Sequence, residues 1–368
     1  MKLKFLKGGQ PDYVFIGLLA LIVTFGLVML TSASSDLARE KFGDSYYYLA
    51  HQALYGLLPG LVGFMIGALL YYRQWEKYAM PLLCVGLFFL VVVFTPLGFH
   101  AKGGDRWVSV GAFSFQPAEL LKLFFFMYLA AWISKSQIRG KSFKDGFFPF
   151  LILVGGVMLL LLLQPATTTA ALIFGASVLT YFTAGARIRF LVASVLVVAV
   201  GLSVVIYFSP YRLSRVMTFL NPDRDVAGAS YHINQALLAI GSGGITGVGF
   251  GKSTTKLHYL PEPIGDSIFA VIGEELGFIG AITFIFLFFS LIWRGMMIAR
   301  KAPDGFSRLL VTGFISVMGL QAFVNIAAIS GIMPLTGVPL PFVSYGGTAL
   351  AVFLTMSGIV VNISRYSR

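Results

Sequence analysis

The chain has 368 residues, of which 57% are hydrophobic and 11% are charged. A soluble globular domain carries about 25% charged residues, so this chain has too little charge to cover a water-facing surface. Composition therefore excludes a soluble enzyme and a disordered chain, and the single cysteine, Cys84, excludes a disulfide scaffold. The composition predicts an all-α polytopic membrane protein, because helices satisfy the hydrogen bonds of their own backbone groups in lipid.

Ten apolar runs are candidates for transmembrane helices, since a bilayer core about 30 Å thick needs roughly 20 apolar residues per helix. They lie at about 13–32, 53–72, 79–98, 117–134, 148–163, 168–185, 189–208, 267–293, 309–330 and 348–364. Only Gln164-Pro165-Ala166-Thr167 separates the fifth run from the sixth, which predicts a tight hairpin. We expect all ten to form one transmembrane domain over residues 1–368.

The net charge of +12 has a topological explanation. With both termini cytoplasmic, the inner segments hold 17 Lys and Arg against four Asp and Glu, whereas the outer segments hold nine against eight. Basic residues concentrate on the cytoplasmic side of membrane proteins. The charge therefore indicates orientation and contact with membrane lipids, and it requires no nucleic-acid partner.

Two outer segments are long enough to fold. The first, about 209–266 between helices 7 and 8, contains the helical pattern Tyr231–Ile240, for which Gly241 is a candidate C-cap. The second, 331–347, has three prolines, four glycines and no charge, so we expect it to fold back against the helices. In the second helix, glycines recur every three or four residues, which indicates close helix packing, at Gly56, Gly60, Gly63 and Gly67.

Charged residues inside a membrane span are costly and are candidates for function. Glu119 and Lys122 are three residues apart on one helix, where they can form an ion pair that either fixes helix packing or faces a cavity. The adjacent Glu274 and Glu275 point about 100° apart and cannot share one partner, which favours a structural role for one of them.

Asp266 lies where the eighth helix leaves a Pro/Gly turn at the outer surface. Its carboxylate could cap the helix N-terminus. It is also placed to take a proton from a hydroxyl of a lipid-linked substrate, with Glu262 as the nearest second carboxylate. Composition and position leave both roles open.

Arg106 precedes Trp107 just before the fourth helix. It could bind a diphosphate, because a guanidinium matches phosphate oxygens, or it could anchor the chain at the membrane interface. Arg212 and Arg215 in the long loop are further candidates for such an anion contact. The histidines show no metal-ligand spacing, so no metal site is predicted. Ser253–Lys256 fits an S-x-x-K pattern without the other motifs of penicillin-binding enzymes, and we set it aside.

Five motifs follow one another from the fourth to the tenth predicted helix. They are Gly104–Trp107 (GDRW), Gln116–Lys122 (QPAELLK), Tyr231–Gln235 (YHINQ) with Gly241–Gly244 (GSGG), Leu260–Gly277 (LPEPIGDSIFAVIGEELG) and Pro339–Gly347 (PLPFVSYGG). As a set they resemble the SEDS family (shape, elongation, division and sporulation) of FtsW/RodA type. The stretch Tyr259–Pro263 is more similar to the FtsW members than to the RodA members.

The resemblance implies a peptidoglycan glycosyltransferase that polymerises lipid II, a disaccharide-peptide on undecaprenyl diphosphate, at the outer face of the bacterial cytoplasmic membrane. Asp266 matches the family's essential aspartate, the general base for the acceptor hydroxyl. Arg106 matches a position suited to diphosphate contact, and Glu119 and Lys122 match the pair beside the central cavity. Three further positions match the lining of the outer cavity: Gln235, Glu262 and Ser344.

The resemblance also implies a single-span class B penicillin-binding protein as partner, and a divalent cation, Mg²⁺ or Mn²⁺, is the candidate cofactor. Where the family reads Gln-Pro-Asp-x-Gly-Thr, this chain has Gln164–Thr169 (QPATTT), which puts the role of that turn in doubt. The residues alone leave two rival functions open. One is a flippase for lipid-linked precursors, in which Glu119 and Lys122 line the path, and the other is a non-enzymatic division scaffold.

Overall fold

In the computed structural model, residues 9–96, 98–101, 104–110, 113–221, 228, 230–257 and 259–367 are described. The predicted inner charges Lys2, Lys4, Lys7 and Arg368 lie outside these ranges. The helices are α1 (Tyr13–Phe42), α2 (Tyr47–Gln52), α3 (Leu58–Leu69), α4 (Arg73–Val92), α5 (Pro117–Ser134), α6 (Phe148–Leu163), α7 (Thr167–Thr183), α8 (Ile188–Tyr207), α9 (Pro210–Leu220), α10 (Tyr231–Ser242), α11 (Ile268–Arg300), α12 (Gly305–Ile329) and α13 (Gly347–Ser364). Single π-helical turns join α2 to α3 at Ala53–Leu57 and precede α6 at Phe143–Phe147.

The predicted all-α membrane fold is confirmed. Within the described ranges, nine helical segments are long and apolar enough to cross a membrane, and α7 is a shorter apolar helix of 17 residues. Together these ten segments match the ten predicted spans in order. The predicted hairpin is present, because α6 ends at Leu163 and α7 begins at Thr167.

The segment before α5 forms a small antiparallel sheet that the sequence analysis did not predict. Its strands are β1 (Gly98–Ala101), β2 (Gly104–Val110) and β3 (Phe113–Phe115), in the order β1-β2-β3. Val108 pairs with Gly98 on one side and with Phe115 on the other. The sheet positions Arg106, on its central strand, beside the helix bundle.

The long loop contains more helix than predicted. Helix α10 is confirmed, but it runs through Gly241 to Ser242, so the predicted C-cap at Gly241 is wrong and Gly243 ends the helix. Helix α9 was not predicted, and none of its residues is buried. Segment 331–346 folds back on the helices as expected, since Val338, Leu340, Phe342 and Val343 are buried.

Helix α11 is broken at Gly277, whose φ of 67° and ψ of −167° are not helical. The interruption lets the loop after α10 hydrogen-bond to the helix backbone. Val248 N donates to Glu274 O (3.0 Å), and Phe278 N donates to Gly244 O (2.9 Å). A Cβ on Gly277 would lie 2.3 Å from Gly247 N, so a side chain at this position would displace the loop.

Helices α5, α12 and α13 form the most buried part of the bundle. The glycines of the second span pack against α13 as predicted, and a Cβ on Gly67 would lie 2.9 Å from Ile359 N. Asp12 and Ser364, near the two ends of the described chain, meet at one end of the bundle, where Asp12 N donates to Ser364 Oγ (3.0 Å). This contact agrees with the prediction of an even number of spans.

Candidate active site

Asp266 lies at the start of α11 without serving as its cap. The N-cap residue is Ser267, and no side chain caps the helix, so the capping role considered for Asp266 has no support in the geometry. The Asp266 carbonyl accepts a hydrogen bond from Asn325 Nδ2 (2.8 Å), which also donates to Val338 O (2.8 Å). Helix α12 thus holds both Asp266 and the proline-rich segment through one amide group.

The Asp266 carboxylate and the Arg215 guanidinium approach the same point of the backbone. A Cβ on Gly337 would lie 3.6 Å from Asp266 Oδ2 and 3.9 Å from both terminal nitrogens of Arg215. Arg215 itself is held by Leu335 O (3.0 Å) and by the Tyr211 hydroxyl (2.5 Å). Residue 337 has a φ of 66°, which favours glycine, so no side chain stands where the carboxylate and the guanidinium converge.

His232 is a neighbour of Asp266 that the sequence analysis did not select. Its Nε2 lies 2.7 Å from Ser267 Oγ, and Gln235 is three residues further along α10, half-buried. Burial lowers the pKa of His232 below its ordinary value, while the Asp266 carboxylate opposes this shift and Arg215 adds to it. His232 is therefore neutral at neutral pH, able to accept or donate one hydrogen bond beside the carboxylate.

Glu262 and Ser344 occupy different positions around this site. Glu262 is exposed on a tight turn with φ of 48°, and it is an electrostatic neighbour of His232. Ser344 is 4% exposed; its hydroxyl donates to Gly265 O (2.6 Å) and accepts from Leu340 N (2.8 Å). Ser344 therefore joins the Asp266 turn to the proline-rich segment.

Arg106 contacts the α6–α7 hairpin. Its Nε donates to Gln164 O (3.2 Å) and its Nη2 to Pro165 O (2.6 Å), so the guanidinium satisfies carbonyls at the end of α6. Burial lowers the pKa of Arg106, the Tyr211 hydroxyl opposes this, and the charges of Arg215 and Arg212 add to it. Arg106, Arg212 and Arg215 thus share one cationic region, which attracts anions.

The predicted ion pair of α5 is present. Lys122 Nζ lies 2.8 Å from Glu119 Oε2, and both side chains are buried. Lys122 also donates to Gln321 Oε1 (2.7 Å), and Gln321 Nε2 donates to Pro339 O (2.9 Å). The pair is therefore linked through α12 to the segment that carries Gly337. The signal that could have selected Gln321 and Asn325 is their spacing, since they are four residues apart in an apolar helix.

Glu274 and Glu275 face different partners, as predicted. The Glu274 carboxylate accepts hydrogen bonds from the Ser253 hydroxyl (2.5 Å) and the Thr254 amide (3.0 Å). Glu275 pairs with Lys256 (2.9 Å) and accepts from the Ser32 hydroxyl (2.6 Å). The S-x-x-K segment thus binds these glutamates and fastens the loop to α11. We call the cluster Ser32, Ser253, Lys256, Glu274 and Glu275 the loop latch.

No group of three or more His, Cys, Asp or Glu residues that could hold a metal ion occurs in the part of the chain that the structure describes. A cation at this site would need phosphate oxygens as ligands beside Asp266 or Glu262. Mg²⁺ accepts such an arrangement, because it is often bound through one or two carboxylates and substrate phosphates.

Known proteins match nearly the whole chain. A family model described as "Cell cycle protein" (FtsW, RodA, SpoVE) matches residues 12–368. A probable peptidoglycan glycosyltransferase FtsW from Geobacter sp. (strain M18) is 37% identical, with 97% of each chain covered. Stage V sporulation protein E from Bacillus subtilis (strain 168) is 39% identical, with 98% of this chain and 99% of the relative covered.

Solved structures share the fold. One chain, described under "Structural coordination of polymerization and crosslinking by a peptidoglycan synthase complex", matches with a TM-score of 0.81 and 28% identity, covering 96% of this chain and 98% of that chain. The rod shape determining protein RodA of Thermus thermophilus matches with a TM-score of 0.70 and 28% identity, covering 96% and 97%. This chain therefore belongs to the FtsW/RodA/SpoVE family, as its motifs had indicated.

Proposed function

We propose that this chain is a peptidoglycan glycosyltransferase that polymerises lipid II, with Asp266 as its general base. The activity follows the name of its FtsW relatives, which are matched over almost their whole length. The observation that carries the role of Asp266 is geometric. Its carboxylate does not cap α11 and lies with the Arg215 guanidinium beside Gly337.

In the proposed reaction, Asp266 accepts the proton of the acceptor sugar hydroxyl as that oxygen attacks the anomeric carbon of the donor. The bond from that carbon to the undecaprenyl diphosphate breaks, and the diphosphate leaves with negative charge. Arg215, Arg212 and Arg106 form the cationic region that stabilises this charge. A divalent cation, Mg²⁺ or Mn²⁺, would supply further positive charge to the diphosphate when bound.

The other matched residues have supporting roles in this proposal. Gln235 and Glu262 lie near His232 and offer polar groups to the sugars. Ser344 keeps the Asp266 turn in place through its hydrogen bond to Gly265 O. Glu119 and Lys122 support the cavity from below, because their hydrogen bonds through Gln321 reach the carbonyl of Pro339.

We place the protein in the bacterial cytoplasmic membrane with both termini inside and Asp266 outside. The meeting of the termini and the basic inner segments support this orientation. We further propose a class B penicillin-binding protein as partner, which would crosslink the product. The similarity to a chain of a complex that couples polymerization and crosslinking supports this partner. Relatives named FtsW and stage V sporulation protein E favour division or sporulation as the process served.

The test uses the purified full chain with its cognate penicillin-binding protein and labelled lipid II. Asp266→Asn keeps the shape of the side chain but removes the base, and we expect it to lower polymerisation by about 100-fold or more. Asp36→Asn, at an exposed carboxylate of α1, is the matched control and keeps the wild-type rate. Wild-type rates from Asp266→Asn contradict the proposed base. Lipid II flipping in liposomes without glycan product would instead support the transporter.

A further inference from the structure

Beside the Asp266 turn lies an ordered cluster of aromatic rings. Phe42 and Tyr47 stack with centroids 3.7 Å apart, and Tyr47 stacks on His51 at 6.1 Å. His51 in turn lies 4.4 Å from the Tyr55 ring. We call this cluster, drawn from α1, α2, the following π-helical turn and the segment before α13, the aromatic shelf: Phe42, Tyr47, Tyr48, His51, Tyr55 and Tyr345.

Hydrogen bonds connect the shelf to the candidate active site. Tyr345 N donates to Ile264 O (2.8 Å), two residues before Asp266. The Tyr345 hydroxyl lies 2.7 Å from His51 Nδ1, and its ring meets Tyr48 edge-on at 5.2 Å. Tyr48 is also an electrostatic neighbour of Glu262. The shelf thus begins at the Asp266 turn and continues along α2 to the end of α1.

The shelf has exposed ring surface together with polar groups. Phe42 is 49% exposed and Tyr55 36%, while Tyr47, Tyr48 and His51 are half-buried. Aromatic faces pack against the C–H faces of pyranose rings, and the tyrosine hydroxyls can hydrogen-bond to sugar hydroxyls and amides. An acyl chain would use the faces but not the hydroxyls. The mixture therefore suits a sugar better than a lipid tail.

We propose that the aromatic shelf binds sugar rings of the growing glycan strand next to the catalytic centre. The inference rests on the proposed role of Asp266, because the strand must leave from the point where the glycosidic bond forms. A strand held on the shelf stays associated between couplings, so the shelf raises the number of couplings per encounter. It does not contribute to the coupling step itself.

The test measures the glycan length distribution and, separately, the rate of lipid II consumption, using the full chain with its partner. The double variant Phe42→Leu/Tyr47→Leu keeps the apolar character but removes two ring faces. We expect the mean strand length to fall about fivefold, from two lost aromatic contacts. Consumption of lipid II should stay near the wild-type rate. The single variant Tyr47→Phe keeps the ring and should retain most of the wild-type strand length.

The matched control is Tyr207→Leu, at an aromatic residue of α8 that is 72% exposed and outside the shelf. Aromatic residues at membrane interfaces also act as anchors, and an anchoring role would make the control and the double variant equivalent. Equal shortening in both therefore overturns the inference, as does wild-type strand length from the double variant. Strand binding is tested without catalysis in the inactive Asp266→Asn protein. This protein should retain purified glycan strands, and adding Phe42→Leu/Tyr47→Leu to it should abolish the retention.

The two proposals fail separately. If Asp266→Asn polymerises normally, the proposed base is wrong, and the strand-length comparison can still be made. If only the shelf variants behave as wild type, the shelf is wrong and the proposed reaction stands. A double variant that does not purify as a folded protein is replaced by Tyr47→Leu alone, for which the same shortening is expected in smaller measure.

Discussion

The ion pairs Glu119–Lys122 and Glu275–Lys256 are alike in geometry but differ in what they connect. Their N–O distances are 2.8 and 2.9 Å, and all four side chains are at most 5% exposed. The first pair lies within α5, between residues three apart. The second joins the loop after α10 to α11, beside the break at Gly277. A buried pair can thus belong to one helix or hold two segments together.

The difference matters for the candidate site. The loop latch fastens the chain between α10, which carries His232, and the turn that carries Asp266 and Ser267. The pair of α5 reaches the site only through Gln321 and the carbonyl of Pro339. Removing the latch should therefore disturb the position of the loop before Asp266, whereas removing the α5 pair should disturb the proline-rich segment that carries Gly337.

The largest effect is expected from Lys256→Met. Lys256 Nζ also donates to the carbonyls of Ser32 and Gly251, and its loss leaves the Glu275 charge buried without a cation. We expect about 4 kcal/mol less stability and loss of polymerisation, measured by thermal unfolding in detergent and by the lipid II assay. The double variant Lys256→Met/Glu275→Leu should recover about half of the stability, together with part of the activity. No recovery would show that the latch acts through more than its charges.

Lys122→Met tests the other buried ion pair, Glu119–Lys122, in the same way. It leaves Glu119 buried and should cost about 3 kcal/mol. The double variant Lys122→Met/Glu119→Leu should regain stability, since apolar residues can replace a buried pair. It should remain about tenfold slower in polymerisation, because the polar link through Gln321 to Pro339 O is lost. Full activity in that double variant would assign the pair to helix packing alone. The unfolding midpoint and the polymerisation rate are measured on the same preparations.

A smaller effect is expected for the pH dependence of stability, through His232 on α10. Because burial lowers the pKa of His232, the unfolded chain takes up a proton near pH 6.5, where the folded protein does not. Stability should therefore fall as the pH drops below about 6.5, and this loss should be smaller in His232→Gln. Melting temperatures at pH 5.5 and 7.5 for the two proteins check the sign. The same slope in both would remove His232 as its source.

The smallest effect is expected at the exposed ion pair Arg73–Asp304, which serves as a baseline for the buried pairs. Arg73 is 58% exposed, and its Nη2 lies 3.2 Å from Asp304 Oδ2. Exposed pairs contribute at most about 1 kcal/mol, so Arg73→Ala should change the unfolding midpoint only slightly. A loss as large as that from Lys256→Met would mean that burial does not explain the difference between the pairs.

Much of the fold could be predicted from local sequence. The span predicted at 117–134 has the same limits in the structure, because Pro117 begins the helix and charged or polar residues follow Ser134. The Glu119–Lys122 pair was predictable for the same reason, as its partners are one helical turn apart. The break at Gly277 was not, since the predicted span 267–293 runs through it and a glycine inside a span is compatible with helix.

In the candidate site, too, local motifs were predictable and contacts between distant segments were not. Asp266, Arg106 and Gln235 were selected from motifs, and Arg215 was a candidate anion contact. That Arg215, His232 and Asn325 meet Asp266 could not be predicted, because they lie on separate segments of the chain. The sheet β1–β3 was also missed, because its short strands contain glycine and charge and show little alternation.

By itself, the sequence determined the membrane class, the ten apolar helical segments, the excess of basic residues and the motifs of the family, because each depends on composition or on residues close in the chain. Only the tertiary structure decided that the loop after α10 fills the break in α11, that Asp266 and Arg215 meet at Gly337, and that aromatic rings from four segments form one shelf. The physical reason is that these contacts join residues far apart in the chain. They form only when the helices have packed, so no local pattern encodes them.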